Sequence, residues 1–325
     1  MGAKAERAST AILRVLREAQ SPLGAERIVE ALLAAGVDLS PRTVRLHLLE
    51  LDKRGLTQLV NRRSGRVITK AGREESGRAD VFTKVGVVSA RVDTLSYQMS
   101  WDARTGAGSV VMNTTLIHPA NLGPALVEMR RVLRDHLGIS HKVLVARAGE
   151  PIGGVVVPEN FVGIGTVCSV TMNGILLHRG IPVTSRFGGL LEIRDRRPLR
   201  FVELIEYRGS SLDPLEVFIQ AGMTRVRDVL QQGSGVICAG FREIPAPAVD
   251  DVQALVRQLR PLGIGGIIAV GRPNQPLFGI PVSDGHAGLV VVGGLNPIAA
   301  VREAGYAVRI RSLAGLEDFS RLRPV

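Results

Sequence analysis

The sequence predicts an α+β protein: an N-terminal winged helix-turn-helix followed by an effector domain of two repeated ferredoxin-like β-α-β-β-α-β lobes. Three observations carry that expectation. The first eighty residues read as three short amphipathic helices and a basic hairpin, the rest repeats itself at a fixed offset, and each repeat alternates period-two and period-3.6 hydrophobic patterns in the same order. At 325 residues the chain has room for such a division, and a 45% hydrophobic fraction with positive mean hydropathy is enough to build cores.

From Glu6 to Ala19 the residues Ala8, Ile12, Leu13, Val15 and Leu16 recur at helical spacing. After Ser21-Pro22-Leu23-Gly24, the run Ala25 to Ala35 gathers Ile28, Val29, Leu32 and Leu33 on one side and closes at Gly36. Ser40-Pro41 then combines an oxygen-bearing N-cap with a residue that needs no amide partner in the first turn, so a third helix starts there. Val44, Leu48 and Leu51 form its buried stripe and leave Arg42, Thr43, Arg45 and His47 near its N-terminal end. Gly55 ends it. Leu56 to Asn61, the turn Arg62-Arg63-Ser64-Gly65 and the return Arg66 to Thr69 form a hairpin.

The major groove of double-stranded DNA admits a helix whose first turns carry guanidinium groups, and a basic wing tip reaches phosphate or the minor groove. The candidate DNA-binding residues are therefore Arg42, Thr43, Arg45, His47, Arg62, Arg63 and Arg66. From Arg42 to Arg73 the acids are Glu50 and Asp52 alone, against nine Lys and Arg. A solvated basic face and a protein-interaction module are the alternatives at this point. The charged stretch from Ala71 to Lys84 reads as a helix end and linker, with the boundary near Asp80: 1–79 for the winged helix, 80–325 for the effector domain.

Gly154 to Val183 lies over Gly279 to Val308 without a gap, an offset of 125 residues that extends back through Arg147 with Arg272 and Leu137-Gly138-Ile139 with Leu262-Gly263-Ile264. The first lobe, about 84–197, reads as strand Ser109–Ile117, helix Asn121–His136, strand Lys142–Ala146, strand Gly163–Thr171, helix Asn173–Arg179 and strand Val183–Ile193. The second, about 198–315, repeats that order from Val236 to Ile310. An additional strand, Lys84–Ala90 in one half and Phe201–Tyr207 in the other, precedes each plait. The loops Gly149–Gly154 and Gly271–Pro276 are rich in Gly and Pro, suited to bringing backbone amides to a ligand or simply to turning.

Several function classes lack their signals. With 4% aromatic residues the chain offers few stacking platforms for single strands. It has neither a phosphate-binding G-x-x-x-x-G-K-[ST] loop nor a dinucleotide G-x-G-x-x-G opening a helix. No apolar run reaches the roughly 20 residues of a membrane span and no secretory h-region is visible, so a cytoplasmic location without membrane contact is expected. Cys168 and Cys238 lack metal-ligand spacing; both are expected reduced, and Cys168 reads as a small buried hydrophobe. His118, His136, His141, His178 and His286 lack the acid and nucleophile partners of acid-base catalysis. No cofactor, metal or catalytic residue is expected. The excess of Lys+Arg 41 over Asp+Glu 30, a net charge of +11, suits a polyanionic partner.

The stretch Val162-Gly163-Ile164-Gly165-Thr166-Val167-Cys168-Ser169-Val170-Thr171-Met172-Asn173-Gly174, continuing through Gly180-Ile181-Pro182-Val183-Thr184-Ser185-Arg186-Phe187-Gly188-Gly189, resembles the signature of the NrpR-type nitrogen-regulatory repressors. Gly209-Ser210-Ser211-Leu212-Asp213-Pro214-Leu215-Glu216 and Ala221-Gly222-Met223-Thr224 extend the match. The resemblance implies a repressor with one effector domain that holds operators of nitrogen-assimilation genes as a homodimer or higher oligomer and releases them when 2-oxoglutarate accumulates. A site for that dianion needs Arg or Lys, hydroxyl donors and free amides. Thr166, Ser169, Ser185, Arg186 and the repeat-equivalent Arg147 and Arg272 are the candidate effector-binding residues. The competing expectation is a metabolite-binding enzyme or sensor whose winged helix recruits a protein.

Overall fold

The computed structural model describes residues 3–19, 21–34, 37–61, 63–76 and 87–325. They divide into two compact units, Met1–Val85 and Gly86–Val325.

The first unit runs α1 (Ala3–Glu18), α2 (Ala25–Ala34), α3 (Pro41–Lys53), β1 (Thr57–Asn61), β2 (Gly65–Ile68) and a helical segment α4 over 70–76. Its core is the set the periodicity selects: Ile12, Leu13 and Leu16 from α1, Ile28 and Leu32 from α2, Val44, Leu48 and Leu51 from α3, closed by Leu56 and Ile68. The hairpin pairs Thr57 with Ile68 and Leu59 with Arg66. Leu23 adds a third rung by exchanging backbone hydrogen bonds of 3.0 and 2.9 Å with Arg66. Gly65 is obligatory at that crossing, because a Cβ there would lie 2.1 Å from the Leu23 carbonyl oxygen at φ +95°. The expected helix stop at Gly36, the turn residue Arg62 and the linker around Asp80 lie outside the described residues.

The second unit begins with α5 (Val87–Gln98), which replaces the strand expected over Lys84–Ala90; 84–86 lie outside the described residues. Val88, Val92 and Leu95 are buried at intervals of four and three, a helical period that a few residues of mixed pattern do not reveal. Helix α5 packs on α7 (Val170–His178) so closely that a Cβ on Gly174 would meet Met99 Sδ at 2.1 Å and the Ser96 carbonyl at 2.8 Å.

The β-α-β-β-α-β order appears in both repeats. The first comprises β3 (Ser109–Ile117), α6 (Leu122–Arg134), β4 (Lys142–Ala146), β7 (Val162–Val167), α7 and β8 (Thr184–Arg194), with a small hairpin β5 (Pro151–Ile152) and β6 (Val155–Val156) between β4 and β7. The second follows as β10 (Gly235–Pro245), α10 (Val249–Leu259), β11 (Ile267–Val270), β12 (His286–Val292), α11 (Asn296–Glu303) and β13 (Val308–Asp318). Between them come β9 (Arg197–Glu206), α8 (Pro214–Gln220) and α9 (Val226–Gln232); β14 (Arg323–Pro324) closes the chain. The strand expected over Phe201–Tyr207 is thus the second half of β9 as far as Glu206, with Tyr207 in the turn that follows.

The sheets reveal an exchange that the repeat alone does not announce. One sheet has the order β13-β3-β7-β4-β14 and the other β11-β12-β10-β8-β9, all antiparallel. The last strand of each repeat therefore pairs with the first strand of the other: β8 along β10, with Ala239 opposite Gly189, and β13 along β3, with Val308 opposite Ile117. Each plait is completed by its sister, and one continuous hydrophobic core runs from Val88 to Leu322.

Candidate nucleic-acid interface and effector cleft

In the first unit, Ser40 caps α3, its Oγ accepting from Thr43 N at 3.1 Å, with Thr43 Oγ1 2.9 Å away. The cap thus uses Thr43. Arg42 and Arg45 are exposed, and Arg45 reaches Glu26 at 3.4 Å in a pair so solvated (58% and 80% exposed side chains) that it holds the guanidinium weakly. His47 turns inward, with Nδ1 3.0 Å from Ser9 Oγ on α1. In the wing, Asn61 Oδ1 accepts from Arg63 N and Ser64 N at 2.9 and 2.6 Å and leaves the Arg63 side chain in solvent. Arg62 is outside the described residues. Arg66 points the other way: its Nε donates to Asp52 Oδ2 at 2.8 Å, its side chain is 15% exposed, and Thr57 Oγ1 donates to the same carboxylate at 2.6 Å. Of the predicted set, Arg42, Arg45 and Arg63 form the exposed cationic surface, while Thr43, His47 and Arg66 hold the fold. A groove of about 820 Å³ between the start of α2 and the wing brings Arg27, Arg45 and Arg63 together with Ser21 and Ser64. Arg27, at the first turn of α2, is the cation the sequence reading missed; its place opposite the wing tip is a tertiary fact.

In the second unit the predicted effector residues do not converge. Thr166 on β7 is buried, and its Oγ1 has no hydrogen-bond partner among the described residues. Ser169 is buried too, and its carbonyl accepts from Arg242 Nη2 at 3.1 Å. The strand expected through Thr171 stops at Val167, and Thr171 starts α7 by anchoring Val111 N at 3.1 Å. Ser185 Oγ accepts from Asn173 Nδ2 at 2.9 Å. Arg186 is paired with Glu243 at 2.8 Å and donates to Ser283 Oγ at 3.2 Å. Ser185 and Arg186 share a cleft of about 510 Å³ with Arg208, but Asp93, Glu206 and Glu243 line it as well, which disfavours a dianion. Arg147 and Arg272 are exposed and line neither this cleft nor the next. Their loops spend amides on turns, Gly149 N to Val157 O at 2.9 Å and Asn274 N to His286 O at 2.8 Å.

A second cleft, about 480 Å³, is lined by the repeat-equivalent loops Gly138-Ile139 and Gly263-Ile264, with Arg134, Arg257 and Arg260, His136 and His141, and the Ser140 hydroxyl. No carboxylate lines it, and none of its three arginines has a carboxylate partner among the described residues. Three unpaired guanidiniums facing one cavity, with glycine backbone beside them, are the donor set a dicarboxylate needs. The repeat match at 137–139 and 262–264 was the available signal. The arginines escaped because they are not repeat-equivalent: Leu259 stands where the repeat would repeat Arg134.

Arg242 is buried, 1% exposed, donating through Nε to Asn173 Oδ1 at 2.7 Å, through Nη1 to Gly240 O at 3.2 Å and through Nη2 to Ser169 O. Burial lowers its pKa. Nearby Asp213, the N-cap of α8, is raised to about 6 by burial, against the hydrogen bonds it accepts from Leu215 N and Glu216 N. Burial pushes the Cys168 thiol up to about 12, which leaves it a packed apolar group and no nucleophile. Among the described residues no group of three or more His, Cys, Asp or Glu is placed to hold a metal, and no helix is long and apolar enough to cross a membrane.

A winged helix with a free cationic face, carried on a chain whose larger unit is a strand-exchanged pair of plaits around a cationic cleft, defines the class of transcriptional regulators. Comparison with known proteins makes this specific. The model for NrpR regulatory domains NRD1 and 2 matches residues 85–324, and that for a ribonuclease R winged-helix domain matches 10–75. The chain is 32% identical over 325 residues to the Global nitrogen regulator NrpRI of Methanosarcina mazei, covering all of both chains. It is 31% identical over 315 residues to the Global nitrogen regulator NrpR of Methanococcus maripaludis, covering 96% of this chain and 54% of that one, so it spans about half the length of that relative. A solved nitrogen repressor-like protein from Methanococcus jannaschii matches with TM-score 0.61 and 29% identity over 74% of this chain and 98% of the other. The chain belongs to the NrpR family of nitrogen-regulatory transcriptional repressors. These relatives are named as regulators.

Proposed function

We propose that the chain binds operators of nitrogen-assimilation genes in the cytoplasm as a homodimer or higher oligomer, needs no cofactor, and lets go when a small dicarboxylate, 2-oxoglutarate, enters the cleft between the loops Gly138-Ile139 and Gly263-Ile264. The observation that carries this reading is the concentration of cationic groups in two places, exposed in one and without a carboxylate partner in the other. Arg42, Arg45 and Arg63 face solvent on one element pair suited to DNA, while Arg134, Arg257 and Arg260 line one cavity without a carboxylate. The Ser140 hydroxyl supplies a neutral donor for a keto oxygen. This cleft takes the place of the set Thr166, Ser169, Ser185, Arg186, Arg147 and Arg272, whose members are buried, already bonded or apart.

Release requires that the dicarboxylate bind the DNA-free conformation more tightly, since equal affinity for both states shifts nothing. Calorimetric titration of the full chain with 2-oxoglutarate tests the assignment. Arg257→Ala with Arg260→Ala should weaken binding at least tenfold, whereas Arg147→Ala with Arg272→Ala should leave it within twofold, about 1.4 kcal/mol marking a factor of ten. The opposite ranking returns the site to the loops carrying Arg147 and Arg272.

A further inference from the structure

The solvent face of α3 holds more than cations. Leu46 and Leu49 are 61% and 52% exposed, in a stripe with Arg42, Arg45 and Lys53 that repeats at helical spacing opposite the buried Val44, Leu48 and Leu51. Helix formation does not ask for leucine at these positions, because Lys, Arg, Gln or Glu sustain a helix almost equally well and stay hydrated. Two leucines left in water beside arginines therefore point to a surface that meets something both anionic and, in places, apolar. Double-stranded DNA fits: the phosphates take the arginines, and the C5-methyl of thymine is the apolar group that the major groove presents to a side chain.

On the reading that this unit binds DNA, we infer that Leu46 and Leu49 read thymine methyl groups in the major groove, so that the operator carries thymines where the second and third turns of α3 lie. Arg42 and Arg45, one turn earlier, sit closer to the helix N-terminus, the end that contacts base edges in helix-turn-helix proteins. A leucine over a methyl discriminates thymine from cytosine by contact and desolvation, without a hydrogen bond.

The test selects duplexes from a random pool with the full chain, then replaces each thymine of the selected site with deoxyuridine, which removes one methyl and nothing else. Binding to the wild-type chain should fall about three- to fivefold at one or two thymines, the worth of a buried methyl-sized group. Leu46→Ala or Leu49→Ala, which keep a strong helix former, should lose about as much on the thymine duplex and nothing more on the matching deoxyuridine duplex. Sedimentation of the same variants should match wild type. Thymine-independent binding, additive losses, or leucine variants that bind as well as wild type would overturn the inference while leaving DNA binding intact. Variants that lose DNA binding only because the oligomer dissociates would reassign the leucines to a contact between copies. Failure to select any duplex overturns both readings.

Discussion

Arg242 shows how much one side chain carries. It stands on β10, in the second repeat, and donates to Asn173 Oδ1 and to the Ser169 carbonyl, both in the first. Arg242→Ala strands these acceptors and the Gly240 carbonyl in a dry core, at about 3 kcal/mol or more, since each buried unmet acceptor costs about 1–3 kcal/mol. Urea unfolding should show a lower midpoint with the slope unchanged. Asp213 answers to pH. Its folded pKa is raised to about 6 from 3.8, so the folded state holds the proton more tightly, and stability falls as pH rises through about 4 to 6, then levels once both states are ionised. Asp213→Asn keeps an N-capping side chain and removes the titration. Its stability relative to wild type should climb across that window and then stay constant, as read from melts at stepped pH; a flat difference from pH 4 to 7 would contradict the buried, raised carboxyl.

At the scale of elements, α3 and the wing divide their arginines between fold and surface, and that division is testable. Arg63 is solvent-exposed at the wing tip, whereas Arg66 is tied to Asp52. Arg63→Ala should lower the salt dependence of DNA affinity by about one counterion and leave stability unchanged. Arg66→Ala should instead destabilise the unit, because it leaves the Asp52 carboxylate without its cation, with the salt slope barely altered. If Arg66→Ala changes the slope as much as Arg63→Ala, the ion pair opens on DNA. The sequence showed α3 down to its cap, since Ser40, Pro41 and the Val44-Leu48-Leu51 stripe are local signals. It did not show which arginine of the hairpin turns inward, because that depends on Asp52 across the helix-strand junction. The strand expected over 84–90 failed for a similar reason. Val87-Val88 reads as β, and only Val92 and Leu95 further on restore the helical period of α5.

For the whole molecule, the repeat was legible and the exchange was not. An offset of 125 residues places the same six elements twice, but no periodicity says that β8 and β13 cross to the opposite sheets. The exchange matters for function because neither plait is complete alone, so a ligand seated between the two repeats acts on one cooperative body rather than on a single lobe. The cleft escaped a sequence reading that looked for symmetric arginines, because its cations come from non-equivalent positions of α6 (Arg134) and of the end of α10 (Arg257, Arg260). Occupancy of this cleft is expected to change how the chain holds DNA. Fluorescence anisotropy of the full chain on a labelled duplex from its own upstream region, titrated with 2-oxoglutarate at fixed salt, tests it most directly. Affinity should fall at least tenfold as the dicarboxylate saturates, and Arg257→Ala with Arg260→Ala should keep its grip under the same titration; an unchanged affinity, or equal release of wild type and variant, would overturn this coupling.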